Sequence, residues 1–333
     1  MKAMLSKRLG GPDTLVLEDL PDPKPGAGEV LIAVKSCGVN YPDSLIIEDR
    51  YQFKPQRPFA PGGEVAGVVE AVGTGVTACK PGDRVIGSLI WGGMAEKVVL
   101  TAARCTPMPA NMPFEEASAL VLTYGTSIHA LKDRAKLKPG ETMLVLGAAG
   151  GVGLSAVELG KAFGARVIAA ASSEAKVDLA RKHGADAGVV YPAGPFDKDG
   201  AKALADLFKG ACGEGGADVI YDPVGGDYSE AALRAIAWEG RFLVVGFAAG
   251  SIPRLPLNLT LLKGCQVVGV FWGDFTRREP QHFAEAMARL GGWYAAGRLK
   301  PHISARFPLE RAADALALMA ARKVTGKVVL DVG

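Results

Sequence analysis

Between Thr142 and Phe163 an apolar run ending Leu144-Val-Leu breaks into Gly147-Ala-Ala-Gly-Gly-Val-Gly153 and then resumes at helical spacing. A strand feeding straight into a glycine-rich turn and a helix leaves the first N–H groups of that helix unpaired. Its positive dipole end then faces the turn. Such a turn admits a pyrophosphate, and a side chain at Gly150 or Gly151 would obstruct it. The pattern reads A-x-G-x-x-G across Ala148, Gly150 and Gly153, with alanine where the first fingerprint glycine usually stands. Gly150, Gly151 and Val152 are the candidate phosphate contacts, and Gly153 is assigned to helix–strand packing.

The rest of the chain supplies the context this turn requires. Periodicity predicts strands over 142–146, 166–170, 188–190, 217–221 and 241–245. Helices are expected over 151–163, 174–183, 200–208 and 229–237. Regular alternation of this kind predicts an α/β, doubly wound parallel sheet of Rossmann type, with helices on both faces. The first third differs: β-branched runs from Glu29 to Val39 and Glu64 to Val72, separated by Gly and Pro clusters, read as a compact β-rich segment. Phe114 to Lys132 is Ala- and Leu-rich at helical spacing, which places a boundary near residue 121. The tail carries a strand from Gln266, helices around 281–297 and 309–322, and a last strand over 327–332. It is expected to return to the first domain, giving segments 1–121, 122–262 and 263–333.

The end of the second strand of the alternating region selects the dinucleotide. About 20 residues past the glycines an NAD-binding chain carries an acid for the ribose 2′-hydroxyl. Here the strand Arg166-Val-Ile-Ala-Ala-Ala leads to Ser172 and Ser173, with Lys176 a turn later. Those three side chains can hold a 2′-phosphate through hydrogen bonds and a point charge, which favours NADPH over NADH. As alternatives, the serines are helix N-caps and Lys176 is a solvated charge.

At 333 residues, with 49% hydrophobic side chains, the chain has material for two ordinary domains. A formal charge of +3 from 38 basic and 35 acidic residues gives no reason to expect nucleic acid, a membrane surface or a polyanion as partner. No apolar stretch approaches the roughly 18 residues of a membrane span, and the first 20 residues do not read as a secretory signal. A cytoplasmic location follows as the expectation. Five cysteines, Cys37, Cys79, Cys105, Cys212 and Cys265, stand singly and read as reduced thiols. His129, His183, His282 and His302 read as surface or capping residues.

Several segments together resemble the medium-chain dehydrogenase/reductase superfamily, and within it the zinc-free quinone oxidoreductase branch that includes zeta-crystallin. They are Val39-Asn-Tyr-Pro-Asp43, Pro61-Gly-Gly-Glu-Val-Ala-Gly67, Pro81-Gly-Asp-Arg-Val85, Leu122-Thr-Tyr-Gly-Thr126, the glycine-rich turn, Asp222-Pro-Val-Gly-Gly226, Val245-Gly-Phe247 and Val268-Gly-Val-Phe-Trp272. The resemblance covers essentially the whole chain. It implies a GroES-like, β-rich catalytic domain built from both chain ends, with the Rossmann domain inserted, and a homodimer paired near Val267–Phe271. Zinc alcohol dehydrogenases of the superfamily place metal ligands at the positions of Asn40, Gly63 and Leu122, and none of these three can bind zinc. No metal site is therefore expected.

By the same resemblance the nicotinamide ring lies against Asn40 and Tyr41, with Thr126 at the domain junction. Tyr191 contacts the adenosine phosphate, Gly246 and Phe247 meet the carboxamide, and Phe271 and Trp272 wall the ring. Asn40 and Tyr51 are the candidate catalytic residues: Asn40 replaces a metal ligand, and Tyr51 is placed to donate a hydrogen bond or proton to the reduced acceptor. For Tyr51 packing is the alternative, for Asp43 a cap or an ion pair, and for Glu64 structural hydrogen bonding. The expected reaction is metal-independent hydride transfer from NADPH to a quinone-type small molecule. Reduction of an activated C=C bond in an enone, haloacrylate or acyl thioester is the near alternative. A catalytically silent NADPH-binding protein is the distant one.

Overall fold

A computed structural model of the chain describes residues 1–333. It divides into two compact units, Met1–Leu122 with Pro280–Gly333, and Thr123–Glu279.

The first unit opens with a hairpin, β1 (Lys2–Ser6) and β2 (Leu15–Asp19). It continues through β3 (Glu29–Val39), the short helix α1 (Tyr41–Ile47), β4 (Glu64–Val72), β5 (Arg84–Ser88), β6 (Lys97–Thr101) and β7 (Cys105–Pro107), and ends in α2 (Phe114–Ala117). β3 is the organising strand. It is long, it is buried along most of its length, and it pairs antiparallel with both β4 and β6. Val30, Ile32 and Val34 on β3 pack with Val65 and Val69 of β4 and Val85 of β5 in the unit's core. That is the period-2 pattern of a strand with one face turned inward.

The second unit alternates strictly: α3 (Val121–Ile128), β8 (Thr142–Leu146), α4 (Gly151–Ala162), β9 (Arg166–Ala171), α5 (Glu174–Lys182), β10 (Ala187–Val190), α6 (Lys198–Cys212), β11 (Ala217–Asp222), α7 (Asp227–Leu233), β12 (Ile236–Val244), α8 (Asn258–Lys263), β13 (Gln266–Gly269) and α9 (Trp272–Arg278). All six strands are parallel, in the order β10-β9-β8-β11-β12-β13. This is the doubly wound order, with its reversal between β8 and β11. Leu144, Ile168, Ile220 and Phe242 from neighbouring strands bury against Phe208 and Leu204 of α6. Gly153 is dictated by packing, since a Cβ there would sit 2.2 Å from the Gly147 carbonyl oxygen.

Three expectations need correction. The return to the first unit starts at Pro280, because Gln266–Gly269, assigned to the segment 263–333, pairs with β12 as the sixth parallel strand and α9 stays with it. The helix expected over 229–237 stops at Leu233, and the following strand begins at Ile236, passing through Glu239 at positive φ. His129 is buried, its ring stacked 3.8 Å from that of Phe275 and its Nδ1 2.9 Å from Asp133.

After α9 come α10 (Pro280–Ala295), β14 (Ile303–Pro308), α11 (Ala312–Ala320) and β15 (Lys327–Asp331). β15 completes the first unit's seven-stranded sheet by lying antiparallel to β3. The chain's last strand thus sits beside the strand that leads into Asn40. No helix is long and apolar enough to cross a membrane.

Candidate active site

In the second unit, the residues expected to touch a dinucleotide lie at or just beyond the carboxyl ends of parallel strands. β8 ends in the Gly147–Gly150 turn, β9 in Ser172, β10 in Tyr191, β11 in Asp222-Pro-Val-Gly-Gly226, β12 in Val245-Gly-Phe247 and β13 in Val270-Phe271-Trp272. Ligands of open parallel sheets bind at that edge, near the reversal of strand order.

The turn itself fits a phosphate. Gly150 is the N-cap of α4 with φ −78°, so its backbone does not require glycine. A Cβ at Gly150 would meet only the Gly147 oxygen, at 3.4 Å. Neither conformation nor packing demands glycine here, and the open space it leaves is what a close-approaching phosphate needs. The Gly151 and Val152 N–H groups, in the first turn of α4, have no intrahelical acceptor. Tyr191 lies against the same turn: it is buried, and its oxygen accepts from the Gly147 backbone. Burial pushes its hydroxyl up to about 12.

At the end of β9 the Lys176 ammonium donates to Ser172 Oγ at 3.0 Å, and no carboxylate occupies the position of Ser172. Ser173 is at the N-cap of α5 but makes no capping bond with its side chain. Asp222 shapes the loop after β11 from within. It is buried, its Oδ1 accepts from Val224 N and Gly225 N at 2.8 and 2.9 Å, and its other oxygen takes the Ser229 hydroxyl. Phe247 is exposed and Gly246 half-buried beyond the end of β12. The two aromatics after β13 part company. Trp272 is buried against α3, where a Cβ on Gly125 would come within 2.9 Å of its indole, whereas Phe271 is 48% exposed. Thr126 is half-buried on α3.

The first unit holds a closed polar cluster around Asn40. Gly38 of β3 pairs with Glu64 of β4 and Val39 pairs with Val328 of β15, so register alone sets Lys327 beside Asn40 and Glu64. The Lys327 ammonium donates to Asn40 Oδ1 at 2.6 Å, Glu64 Oε1 at 2.6 Å and the Val39 carbonyl at 3.2 Å. Asn40 Nδ2 donates to Glu64 Oε1 at 2.9 Å and the Gly38 carbonyl at 3.2 Å. Glu64 Oε2 accepts from the Leu122 N–H at 2.9 Å. Asn40, Glu64 and Lys327 are all buried, Glu64 completely. A Cβ at Gly38 would lie 2.0 Å from the Ser118 carbonyl oxygen and 2.7 Å from Glu64 Oε1, which explains the glycine.

Asp43 forms the cluster's second layer. Its Oδ2 accepts from Asn40 N at 2.7 Å, completing the N-terminal box of α1, and its Oδ1 accepts from Gly62 N at 3.2 Å. Burial pushes the carboxyl up to about 7, against the Asn40 and Gly62 N–H groups and the Lys327 charge, which hold it down. Tyr51 is half-buried on the unit's core, its hydroxyl raised first by burial and then by Asp43. Tyr41 is half-buried at the first position of α1. Cys37 is fully buried and its thiol pushed well up by burial, so it is a packing residue.

The three positions where zinc relatives place ligands are close together in the first unit: a Cβ at Gly63 would lie 3.6 Å from Leu122 Cδ1, and Asn40 and Leu122 both bond to Glu64. They supply an amide, no side chain and an alkyl group. No group of three or more His, Cys, Asp or Glu side chains converges to hold a metal ion. Lys327 was missed in the sequence, where a lysine ahead of Val-Val-Leu reads as a solvated charge. Its signal was indirect: a buried Glu64 without a metal requires a cation.

Residues 26–110 match the alcohol dehydrogenase GroES-like domain family and residues 151–291 the zinc-binding dehydrogenase family. The chain is 40% identical to the quinone oxidoreductase-like protein 2 of Rattus norvegicus over 93% of its length and 87% of that protein's. It is 34% identical to Homo sapiens quinone oxidoreductase over 99% of its length and 97% of that protein's. The quinone oxidoreductase of Thermus thermophilus, solved alone and with NADPH, superposes with a TM-score of 0.84 at 35% identity, covering all of both chains.

The Asp43 carboxyl yields a pH prediction. Its folded value, about 7, lies above the ordinary 3.8, so the folded protein holds this proton more tightly than the unfolded chain. The stability it contributes is therefore complete below about pH 4 and lost as pH rises through about 7. Urea unfolding of the wild type should lose stability between pH 5 and pH 8 relative to Asp43→Asn, and parallel pH dependences would refute the assignment.

A parallel sheet with a glycine-rich turn at the carboxyl end of its first strand, a GroES-like unit, and relatives matching along nearly the whole length lead to one placement: the chain belongs to the quinone oxidoreductase branch of the medium-chain dehydrogenase/reductase superfamily, a family of nicotinamide-dependent oxidoreductases.

Proposed function

We propose that the protein transfers hydride from NADPH to a small electron-poor acceptor of the quinone type. The carrying observation is the cluster around Asn40. Its donors are spent on protein acceptors and both Glu64 oxygens on protein donors. The cluster holds no His or Cys to ligate a metal, and Glu64, its acid, is tied to Lys327, Asn40 and Leu122. A quinone needs neither a metal nor a base, since its ring is electrophilic already and its reduction product requires only modest stabilisation and a proton.

NADPH, when bound, supplies the hydride. The chain's own residues bind and orient it. The Gly150–Val152 turn takes the pyrophosphate, Tyr191 packs against that turn, and Ser172 with Lys176 takes the 2′-phosphate. Ser173, with no capping bond of its own, has its hydroxyl available to the same phosphate. Thr126, Gly246, Phe247 and the exposed Phe271 are proposed as nicotinamide-side contacts, with Trp272 supporting α3 from behind. In the catalytic unit, Asn40 and Tyr41 form the proposed acceptor-side surface. Tyr51, whose hydroxyl is raised by burial and by Asp43, stays protonated at neutral pH and is the proposed donor to the reduced acceptor.

A homodimer is proposed on separate grounds. β13 is an edge strand of four residues, and around it Trp238, Leu257, Leu261, Leu262, Val267 and Phe271 are all exposed. An unprotected strand edge flanked by large apolar side chains is the signature of a surface that pairs with a copy of itself.

Three outcomes follow. NADPH oxidation, followed by loss of the reduced nicotinamide absorbance, should be fast with 1,4-benzoquinone and slower with an enone or an enoyl thioester. A reversed order would move the protein to alkene reduction, and tight NADPH binding without turnover on any of them would make it a silent binder. Ser172→Asp should lower kcat/KM for NADPH by about 10-fold or more while raising that for NADH, as expected from a like-charge contact with the 2′-phosphate. Unchanged preference would sink the role of Ser172. Sedimentation should give a dimer for the wild type and a monomer for Leu261→Asp; a monomeric wild type would remove the edge-pairing proposal.

A further inference from the structure

Lys327 has no place in the proposed hydride transfer beyond neutralising Glu64, yet its geometry is more demanding than neutralisation needs. An ammonium has three protons, and here they go to three different acceptors. An asparagine amide has two, and both are taken, by Glu64 Oε1 and the Gly38 carbonyl. The orientation of the Asn40 amide is therefore fixed by charge. Lysine can only donate and a carboxylate only accept, so turning the amide over would set Nδ2 against the ammonium and Oδ1 against the carboxylate.

We propose that Lys327 is the positioning residue of the catalytic unit: it fixes the Asn40 carboxamide with Oδ1 toward the ammonium and both N–H groups spent on protein acceptors. The proposal rests on the hydride-transfer reading and assigns a specific duty within it. Asn40 then offers no N–H to the substrate, and any proton reaching the reduced substrate comes from another group. Because Asn40 is also the N-cap of α1, held through Asp43, the same lock fixes the start of the helix that carries Tyr41. Lys327 acts through Asn40, from the far end of the chain.

The chain has only three asparagines, Asn40, Asn111 and Asn258, so protein labelled with 15N-asparagine shows three side-chain NH2 pairs, assignable by substitution. In the wild type the Asn40 pair should exchange with solvent far more slowly than the other two. Lys327→Met leaves Glu64 buried without a counter-ion and should unfold at lower temperature. The double variant Lys327→Met/Glu64→Gln removes both charges and should regain most of the thermal stability. If Lys327 positions Asn40, the double variant still shows at least 10-fold faster exchange of the Asn40 pair. Its kcat with 1,4-benzoquinone falls at least 10-fold, while its affinity for NADPH, read by nicotinamide fluorescence, changes less than 3-fold. Recovery of wild-type kcat along with stability, or Asn40 protons as protected as in the wild type, would overturn the proposal and reduce Lys327 to a structural counter-ion. A wild type that fails to oxidise NADPH with the quinone would instead defeat the reading of the function, and the exchange measurement would still decide whether Lys327 locks Asn40.

Discussion

The ion pair between Lys327 and Glu64 is the contact on which the catalytic unit depends. Its partners lie 263 residues apart, at 2.6 Å, and both are out of water. Taking two charges from water costs several kcal/mol per ion, and attraction repays that only when the remaining lone pairs and protons are also matched. Here they are, through Asn40, Val39 and Leu122. Losing either partner alone would strand a buried charge at roughly 3–5 kcal/mol, a large share of the 5–15 kcal/mol typical of a whole domain. The pair also explains why the chain must return to its first unit. Without β15 beside β3 there is no cation for the acid that β4 buries.

The dinucleotide unit is built on the opposite logic. Its strand interiors are apolar and nearly featureless, with Leu144, Ile168 and Ile220 all fully buried. A strand covered by helices on both faces leaves no room for polar side chains except where it ends. Polar and loop-forming residues are therefore displaced to the strand ends, and because the strands are parallel their six carboxyl ends lie at one edge of the sheet. Gly150 shows the consequence at atomic scale, since the protein itself would tolerate a methyl group there. Gly153, three residues on, would not be tolerated for reasons that have nothing to do with a ligand. Two glycines of one motif thus answer to different constraints.

These two logics account for what was legible beforehand. Parallel strands alternating with helices impose periods of 2 and 3.6 on neighbouring segments, so 142–146, 166–170 and 217–221 could be placed to within a residue. The sixth strand was assigned to the wrong unit because Gln266–Gly269 is short, lies at the edge and follows Gly264 at positive φ, which mimics a domain exit. Asn40, Gly63 and Leu122 were picked out by resemblance to the zinc alcohol dehydrogenases, whose ligand positions they occupy, and not by any local periodicity. Lys327 was not, because its role is created by antiparallel register between chain ends, and no local pattern separates it from a lysine at a solvated strand start.

The cluster also sets its two acids in different surroundings. Two buried carboxylates, Glu64 and Asp43, share one ammonium, so the group is neutral only if one of them is protonated. Glu64 holds the ammonium directly, at 2.6 Å, and takes Asn40 Nδ2 and Leu122 N besides. Asp43 feels Lys327 at longer range, and its oxygens meet two backbone N–H groups. Two dipoles compensate buried charge less than one ammonium does, so burial raises the Asp43 carboxyl, to about 7. The neighbouring Tyr51 hydroxyl is raised first by burial and then by the Asp43 charge. The lysine that orients Asn40 thus pairs with Glu64 and leaves Asp43, the carboxylate whose charge reaches Tyr51, to two backbone N–H groups.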